Sequence, residues 1–337
     1  MSDSRRVAVI GAGSWGTTIA NLLAGNGHPV VLWARDTGLA ETMRRERENP
    51  RYLPGFPLDA GVEPTADLAA AVEGADLVVS AVPSHGVREV TRRAAPYVGP
   101  GTIVVSASKG IENETLERMS EVLEEVLPEE TRLAVLSGPS FALEVSRCVP
   151  TAVTVASEDR EAAETVREAF AAPWFRVYTS DDVVGVELGG AVKNVIAIAT
   201  GIADGLEYGH NARAALITRG LAEISRLGME LGGERLTFMG LAGLGDLVLT
   251  CTGDLSRNRT LGLRFGRGES LEEILADMTQ VAEGFRTTRS VRDLAARLGV
   301  EMPISEQVHA MLYAAKIPQV VVEELMTRDY KPEFERR

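Results

Sequence analysis

The sequence is poor in the residues that build extracellular or metal-stapled folds. Its 337 residues include only two cysteines, Cys148 and Cys251, and only four histidines. Two cysteines are too few for a disulfide framework or a zinc cluster, and their scarcity favours a reducing cytoplasm. No histidine, carboxylate and cysteine cluster has the spacing of metal ligands, so we expect no metal site.

Positive charge and long apolar runs are also scarce. The chain has 35 Lys and Arg against 48 Asp and Glu, a formal net charge of −13. A nucleic-acid or anionic-membrane partner would need a basic face, so we expect neither. No apolar stretch approaches the ~20 residues that span a bilayer, and the N-terminal segment lacks a convincing cleavage pattern. We therefore expect a cytoplasmic protein without stable membrane insertion.

Two kinds of sequence pattern divide the chain near residue 182. Before it, short apolar runs alternate with helical patterns, at 6–10, 29–34, 76–83, 102–110, 132–138, 151–157 and 175–180. Such runs are typical of a parallel sheet covered on both faces. After it, helical periodicity dominates. We predict a Rossmann-type, doubly wound α/β domain over 1–182, an all-α C-terminal domain over 183–337, and a ligand cleft between them.

A glycine-rich loop follows the first predicted strand. Gly11, Gly13 and Gly16 have the G-x-G-x-x-G spacing and open a helix, a context that favours a dinucleotide site over a plain turn. The second strand ends in Arg35 and then Asp36, where the ribose-reading residue is expected. A carboxylate favours NAD, whereas an arginine pairs with a 2′-phosphate. The coenzyme therefore stays open, with a lean towards NADP or the use of both.

Polar residues at two further strand ends suggest a crevice. Lys109 ends the predicted strand at 102–110, and Gly138 and Ser140 lie in the turn after the strand at 132–138. Ligands bind at the carboxyl edge of open α/β sheets. Either position alone is weak, since a lysine at the end of a strand is often only a surface residue.

The segment at 241–262 carries a candidate phosphate site. Ser256 is placed as a helix N-cap and is followed by Arg257 and Asn258. A helix N-terminus with a hydroxyl, a guanidinium and an amide can bind a phosphate, although plain capping beside an exposed charge explains the same residues. Asp246 is either a buried hydrogen-bonding carboxylate or another cap.

Lys193 lies in an apolar helical stretch, ELGGAVKNVIAIATG at 187–201. No carboxylate stands three or four positions away, so its partner must come from elsewhere or from a ligand. A lysine in that setting can act as an acid or base. The competing candidate is His85, the one histidine near the predicted cleft.

Several motifs, in order, resemble those of bacterial NAD(P)-dependent glycerol-3-phosphate dehydrogenases. They are GAGSWGT at 11–17, SKGI at 108–111, SGPSFA at 137–142, ELGGAVKNVIAIATG at 187–201, YGHNARAALITRG at 208–220, GLGDLVLTCT at 243–252 and SRNR at 256–259. The resemblance covers residues 11 to about 284. It implies reversible conversion of glycerone phosphate to sn-glycerol 3-phosphate with NAD or NADP, which supplies the phospholipid backbone.

The resemblance also implies roles for single residues. The resemblance makes Lys193 the proton donor or acceptor, and so it favours Lys193 over His85 for that role. Beside the three glycines, the residues implied at the coenzyme are Ser14, Trp15, Arg35, Tyr52, Lys109, Ala142, Arg257, Val281 and Glu283. Those implied at the substrate are Lys109, Gly138, Ser140, Lys193, Asp246, Ser256, Arg257 and Asn258.

Two other interpretations compete with this one. The first is a reductase of hydroxy or aldo acids with the same two-domain plan and a carboxylate substrate; the serine, arginine and asparagine at 256–258 suit a phosphate better. The second is a dinucleotide sensor without catalysis, which would not need Lys193 unpaired beside polar groups. A homodimer is a reasonable expectation for helical domains of this kind.

Overall fold

The computed structural model of the chain describes residues 4–278, 282–329 and 332–333. The strands within these ranges are β1 (Val7–Ile10), β2 (Val30–Trp33), β3 (Glu48–Asn49), β4 (Leu53–Pro57), β5 (Val62–Thr65), β6 (Leu77–Ser80), β7 (Ile103–Ser106), β8 (Arg132–Ser137), β9 (Thr151–Ala156) and β10 (Phe175–Ser180). Eight of them form one sheet in the order β10-β9-β8-β7-β6-β1-β2-β5, and β3 and β4 form a separate hairpin.

Helices cover both faces of the large sheet, as predicted. They are α1 (Ser14–Gly25), α2 (Thr37–Glu46), α3 (Leu68–Val72), α4 (Val87–Ala94), α5 (Met119–Val126), α6 (Ala142–Ser146) and α7 (Arg160–Phe170). Alternate residues of β1 enter different cores: Val7 and Val9 belong to one apolar cluster, and Ala8 and Ile10 to another. This alternation explains why the strand reads as a continuous apolar run, because both of its faces are buried.

The prediction of an all-parallel sheet is wrong at one strand pair. β9 and β10 extend the sheet as expected and run parallel to each other, but β9 pairs antiparallel with β8. A parallel neighbour requires a crossover that passes over one face of the sheet. Residues 138–150 contain only the short helix α6, so the chain turns back at the same edge of the sheet.

The region between β2 and β6 contains elements that the apolar pattern does not reveal. β3, β4 and β5 are short, and β4 and β5 contain the prolines Pro54, Pro57 and Pro64. Proline is tolerated in edge strands because a missing N–H costs little there. β5 forms the edge of the large sheet beside β2, and the β3–β4 hairpin lies outside it.

The second part of the chain is helical among the described residues. Its helices are α8 (Val183–Gly205), α9 (Gly209–Glu230), α10 (Arg235–Phe238), α11 (Asp246–Thr252), α12 (Arg257–Gly266), α13 (Leu271–Asp277), α14 (Glu283–Leu298), α15 (Pro303–Tyr313) and α16 (Pro318–Met326). A π-helical turn at Leu241–Gly245 precedes α11. α8 is the central helix and packs against α9, α11, α12 and α14. The division into domains at residues 182 and 183 stays a prediction.

The expectation that no apolar stretch approaches membrane-spanning length is wrong for α8. This helix has 23 residues and a mean hydropathy of 1.5 over its most apolar window, enough in length and composition to cross a bilayer. However, 89% of that window is buried inside the protein. A helix that is apolar on all sides fits the centre of a large helical core equally well.

Candidate active site

The glycine loop between β1 and α1 has the geometry of a dinucleotide cradle. Gly11 has a φ of +113°, and its N–H donates to the carbonyl of Trp33 at 3.1 Å, which fixes the loop to the end of β2. A Cβ at Gly16 would lie 1.8 Å from the carbonyl oxygen of Gly11, so loop and helix are in direct contact. A Cβ at Gly13 would meet no atom within 4 Å. The open space beside Gly13 is where a pyrophosphate approaches the backbone.

The N-terminus of α1 faces this open space. Gly13 is its N-cap and, as a glycine, has no side chain to cap the first turn. The N–H groups of that turn have no partner within the helix, and together with the helix dipole they favour an anion. Ser14 begins the helix, and Trp15 packs against the apolar core of the sheet. The residues present therefore fit a bound dinucleotide.

Ala142 lies on the neighbouring helix α6, which contacts α1. The hydroxyl of Thr18 lies 2.8 Å from that of Ser146 and 3.3 Å from the carbonyl oxygen of Ala142. These contacts place the start of α6 against α1, the helix that follows the glycine loop. The sequence resemblance implies that Ala142 contacts the coenzyme bound at this loop.

The β3–β4 hairpin brings Tyr52 to the glycine loop through a residue that the sequence did not reveal. The buried side-chain amide of Asn49 donates to the carbonyl of Ala12 at 2.9 Å and to the hydroxyl of Thr17 at 2.8 Å. Its oxygen accepts the N–H of Tyr52 at 3.1 Å. No sequence pattern marked Asn49, because its contacts join segments more than thirty positions apart.

Lys109, Lys193 and Asp246 form the charged centre of the site. The ammonium of Lys193 on α8 donates to Oδ1 of Asp246 on α11, and that of Lys109, beyond β7, donates to Oδ2 at 2.6 Å. The Asp246 side chain is 1% exposed, that of Lys193 7% and that of Lys109 19%. Asp246 is thus the buried hydrogen-bonding carboxylate of the two alternatives.

As expected from the lack of a carboxylate nearby on its own helix, the partners of Lys193 come from elsewhere in the chain. Besides Asp246, Lys193 donates to the hydroxyl of Thr250 at 2.8 Å. Thr250 in turn donates to the carbonyl of Asp246 at 2.6 Å. Thr250 lies one helical turn after Asp246, and that spacing is the only sequence signal that could have identified it.

Burial and charge set the protonation of this centre. Burial lowers the pKa of Lys193 to about 7, because the charged form loses its hydration. The Asp246 carboxylate opposes this shift, and the neighbouring Lys109 ammonium adds to it. An ammonium with that pKa can both lose and regain a proton near neutral pH.

Two glycines allow α8 to pack closely against two neighbours. A Cβ at Gly189 would lie 2.5 Å from the carbonyl oxygen of Ala242, in the π-helical turn before α11, and one at Gly190 would lie 2.4 Å from the hydroxyl of Ser137 at the end of β8. That hydroxyl is buried and has no hydrogen-bond partner among the described residues. The paired glycines before Lys193 are therefore packing residues that bring its helix against both the π-helical turn and the sheet.

The turn after β8 completes this side of the site. Gly138 has a φ of +139°, and its carbonyl oxygen accepts from Lys109 at 3.3 Å. The hydroxyl of Ser140 donates to the same carbonyl at 3.0 Å. Gly138 thus bonds Lys109 directly, and Ser140 shares the same carbonyl acceptor with Lys109.

The N-terminus of α12 is compatible with both explanations of residues 256–258, a phosphate site and a plain helix cap. Ser256 caps the helix by accepting the N–H of Arg259 at 3.2 Å. The Asn258 amide donates to the side chain of Asn194 on α8 and accepts the N–H of Gly284 on α14, both at 2.9 Å. Asn258 therefore ties three helices together directly beside Lys193.

Arg257 is the cation of this segment that remains available. It makes no hydrogen bond or ion pair within the described ranges, and burial lowers the pKa of its guanidinium. Its side chain is exposed, so the guanidinium is accessible to a ligand. An arginine and a helix N-terminus at one place form a site for an anion.

Glu283 is the first residue of α14. Its carboxylate accepts the N–H of Ser84 at 3.3 Å, and burial raises its pKa despite the nearby cations Arg257, Lys109 and Lys193. The lysine centre and Arg257 thus both lie within electrostatic range of this carboxyl group. Val281, the other residue expected here, lies outside the described residues.

His85 lies apart from the lysine centre. It is exposed after β6 and lines a polar cavity with Asn113, Glu114 and Arg286, without a hydrogen bond to Glu114. Burial and the charges of Arg286 and Arg35 lower its pKa. No carboxylate pairs with it among the described residues, so it lacks the group that orients a histidine acid or base.

Comparison with known proteins shows which family the chain matches. Residues 6–163 match the family described as NAD-dependent glycerol-3-phosphate dehydrogenase N-terminus, and residues 182–323 match the corresponding C-terminus. Glycerol-3-phosphate dehydrogenase [NAD(P)+] of Syntrophotalea carbinolica is 57% identical over 331 residues, which cover 98% of this chain and 99% of that protein.

Solved structures agree with this relationship. The crystal structure of glycerol-3-phosphate dehydrogenase from Coxiella burnetii superposes with a TM-score of 0.93 at 43% identity, over 96% of this chain and 99% of that chain. A ketopantoate reductase from Ralstonia eutropha has a TM-score of 0.58 at 18% identity, over 95% and 99% of the two chains. The likeness to the reductase concerns the fold alone.

Proposed function

The chain belongs to the NAD-dependent glycerol-3-phosphate dehydrogenase family, and we propose that Lys193 exchanges the proton in its reaction. The protein is an oxidoreductase that interconverts glycerone phosphate and sn-glycerol 3-phosphate with NAD(P). The observation that carries the proposal for Lys193 is its buried ammonium, which shares the Asp246 carboxylate with Lys109 inside the cleft.

The proton chemistry follows from the state of Lys193. When bound, the nicotinamide coenzyme supplies the hydride to C2 of glycerone phosphate, or accepts it in the reverse direction. A cationic Lys193 stabilises the negative charge that develops on the C2 oxygen and then donates a proton to it. Asp246 and Thr250 orient the ammonium, and Lys109 adds a second cation on the other side of the carboxylate.

The phosphate of the substrate is assigned to the N-terminus of α12. Arg257 supplies the cation, and the first-turn N–H groups supply neutral donors. Ser256 holds the turn and Asn258 joins it to α8, so both act on the substrate by fixing the distance from Arg257 to Lys193. Fixing the phosphate in this way orients the carbonyl carbon for transfer. Gly138 and Ser140 line the same cleft through Lys109.

The coenzyme is assigned to the glycine loop and the segments around it. The set proposed to contact it is Gly11, Gly13, Ser14, Trp15, Gly16, Arg35, Tyr52, Lys109, Ala142, Arg257, Val281 and Glu283. Arg35, exposed at the end of β2, supports a preference for NADP or the use of both coenzymes.

We further infer a cytoplasmic homodimer that serves glycerophospholipid synthesis, with a coenzyme domain over 1–182 and a substrate domain over 183–337. The end of the sheet at Ser180 and the start of α8 at Val183 support that division. The scarcity of cysteine supports the compartment, and light scattering would test the dimer.

A coupled set of assays tests the proposed function. The purified chain is mixed with NADH or NADPH and either glycerone phosphate or a keto acid of similar size, and loss of reduced coenzyme is followed by absorbance. We expect turnover with glycerone phosphate and little with the keto acid. Absence of turnover with glycerone phosphate and both coenzymes would refute the function, and equal turnover of the keto acid would favour the acid reductase.

A further inference from the structure

The carboxylate of Asp36 is already engaged on both of its oxygens. Asp36 follows Arg35 at the end of β2, where a carboxylate would read the ribose of NAD. Its Oδ1 accepts the N–H of Leu39 at 3.1 Å, so it caps α2. Its Oδ2 pairs with the guanidinium of Arg51 at 3.3 Å. Its negative charge is therefore compensated by a cation and by the N-terminus of a helix before any coenzyme binds.

Arg51 belongs to the β3–β4 hairpin, not to α2, and this hairpin borders the proposed coenzyme site. It lies in the turn between β3 and β4, and its guanidinium carbon is 5.2 Å from the ring centre of Tyr52. The same hairpin is fixed to the glycine loop by the buried amide of Asn49. Arg51 therefore approaches Asp36 from the hairpin and brings a cation next to its carboxylate.

The net charge of Arg35, Asp36 and Arg51 favours a 2′-phosphate over a 2′-hydroxyl. Arg35 is exposed and has no carboxylate partner within the described ranges. Two cations and one anion leave a net charge of about +1 here, in a protein of net charge −13. A 2′-phosphate is attracted by arginine and repelled by a free aspartate, whereas a 2′-hydroxyl gains from that aspartate.

We propose that Arg51 is a specificity-determining residue that makes the site accept NADP, because its guanidinium neutralises the charge of Asp36 at the place where the 2′-position of the coenzyme is expected. The proposal rests on the proposed coenzyme site and deepens it. Arg51 acts through Asp36, so removing Asp36's charge must cancel the effect of removing Arg51.

A double-mutant cycle tests this dependence. Dissociation constants of NADPH and NADH are measured by fluorescence titration for the wild type, Arg51→Gln, Asp36→Asn and the double variant. Adenosine 2′,5′-bisphosphate and AMP serve as fragments that report on the 2′-phosphate without turnover. Asn remains a good N-cap, so Asp36→Asn preserves α2. Arg45→Gln is the matched control, since Arg45 is an exposed arginine paired with Glu46 at the other end of α2.

We expect Arg51→Gln to weaken NADPH and the bisphosphate about tenfold, and NADH and AMP less than about twofold. The double variant should return to within about threefold of the wild type for NADPH, and Arg45→Gln should change nothing. An unchanged preference in Arg51→Gln, or a double variant as weak as Arg51→Gln, overturns the proposal. Wild-type protein that binds neither coenzyme would instead refute the proposed coenzyme site, so the two failures are distinguishable.

Discussion

The ammonium of Lys193 and the carboxylate of Asp246 meet in a buried contact between two helices, although the residues are 53 positions apart in the chain. Asp246 is shared with Lys109, so two cations compete for one anion. Burying three charged groups is costly unless their hydrogen bonds are satisfied. This arrangement keeps Lys193 in place while leaving its proton easy to exchange, and it motivates the first two predictions.

Replacing Lys193 with alanine should lower kcat by roughly 10²–10⁴-fold, the usual contribution of a positioned acid or base. The glycine loop is untouched, so the dissociation constant of NADPH should change little. Lys316→Ala is the matched control, because Lys316 pairs with Glu324 on the surface of the helical part. Near-normal turnover of Lys193→Ala would remove the lysine from the mechanism and return His85 to consideration.

The activity should depend on pH in opposite ways for the two reaction directions. Reduction needs Lys193 protonated, so kcat/KM for glycerone phosphate should fall as the pH rises through about 7. Oxidation of glycerol 3-phosphate needs the neutral amine and should rise through the same region. Asp246→Asn should move the midpoint to lower pH, because the carboxylate raises the pKa of Lys193. A midpoint unmoved in that variant would show that another group titrates.

Arg257→Ala should raise the KM for glycerone phosphate by about 10- to 100-fold, since a hydrogen bond between charged groups contributes roughly 1.5–3 kcal/mol. Arg267→Ala, which alters an exposed arginine at the C-terminal end of the same helix, provides the control. With dihydroxyacetone, which has no phosphate, wild type and Arg257→Ala should be equally poor. If the variant is impaired equally with both ketones, Arg257 does not bind the phosphate.

Substitutions at two of the three loop glycines should separate coenzyme binding from stability. Gly13→Ala adds a methyl group to open space, so the Tm without coenzyme should stay unchanged while both coenzymes bind at least about tenfold more weakly. Gly16→Ala places its Cβ 1.8 Å from the backbone oxygen of Gly11 and should lower the Tm or prevent folding. Thermal unfolding with and without NADPH measures both effects. A Gly13→Ala protein with normal affinity would exclude close approach of the pyrophosphate.

A buried carboxylate away from the site should make stability depend on pH. Glu223 on α9 accepts from the N–H groups of Ile304 and Ser305 at the start of α15, and burial raises its pKa to about 7. The folded state then binds more protons than the unfolded chain between about pH 4.5 and 7. Its contribution to stability is therefore present at low pH and is lost as the pH rises through that range.

Urea unfolding at pH 5 and pH 8 measures this contribution in wild type and Glu223→Gln. Between these values the free energy of unfolding of the wild type should fall by up to about 3 kcal/mol more than that of the variant. Glutamine does not titrate and keeps one acceptor for the two N–H groups. The same change with pH in both proteins would mean that Glu223 is ionised throughout.

Local patterns were sufficient for much of the fold. The apolar runs predicted seven strands of the large sheet, and the spacing of Gly11, Gly13 and Gly16 predicted the cradle. The N-cap at Ser256 was also predictable, because capping depends on residues within one turn. The short strands rich in proline between β2 and β6 were missed, since their pairing with distant strands, not their own composition, makes them strands.

The partners in the site were not predictable from local pattern. Thr250 and Asn49 act through neighbours far away in the chain, and the direction of β9 depends on where residues 138–150 turn. The resemblance to a family named most site residues but said nothing of what each one touches. Hydrogen bonds between segments of large sequence separation form only when helices pack at a particular distance and rotation.

By itself, then, the sequence determined that a dinucleotide loop opens an α/β domain and that Lys193 lacks a carboxylate on its own helix. Only the tertiary structure decided that Asp246 is the partner and that Lys109 competes for it. The physical reason is that helical periodicity reports which face of a helix is apolar, whereas the identity of a buried ion pair depends on how the helices pack. Gly189 and Gly190 connect the sequence to this packing, because the absence of their side chains lets α8 bring Lys193 to Asp246.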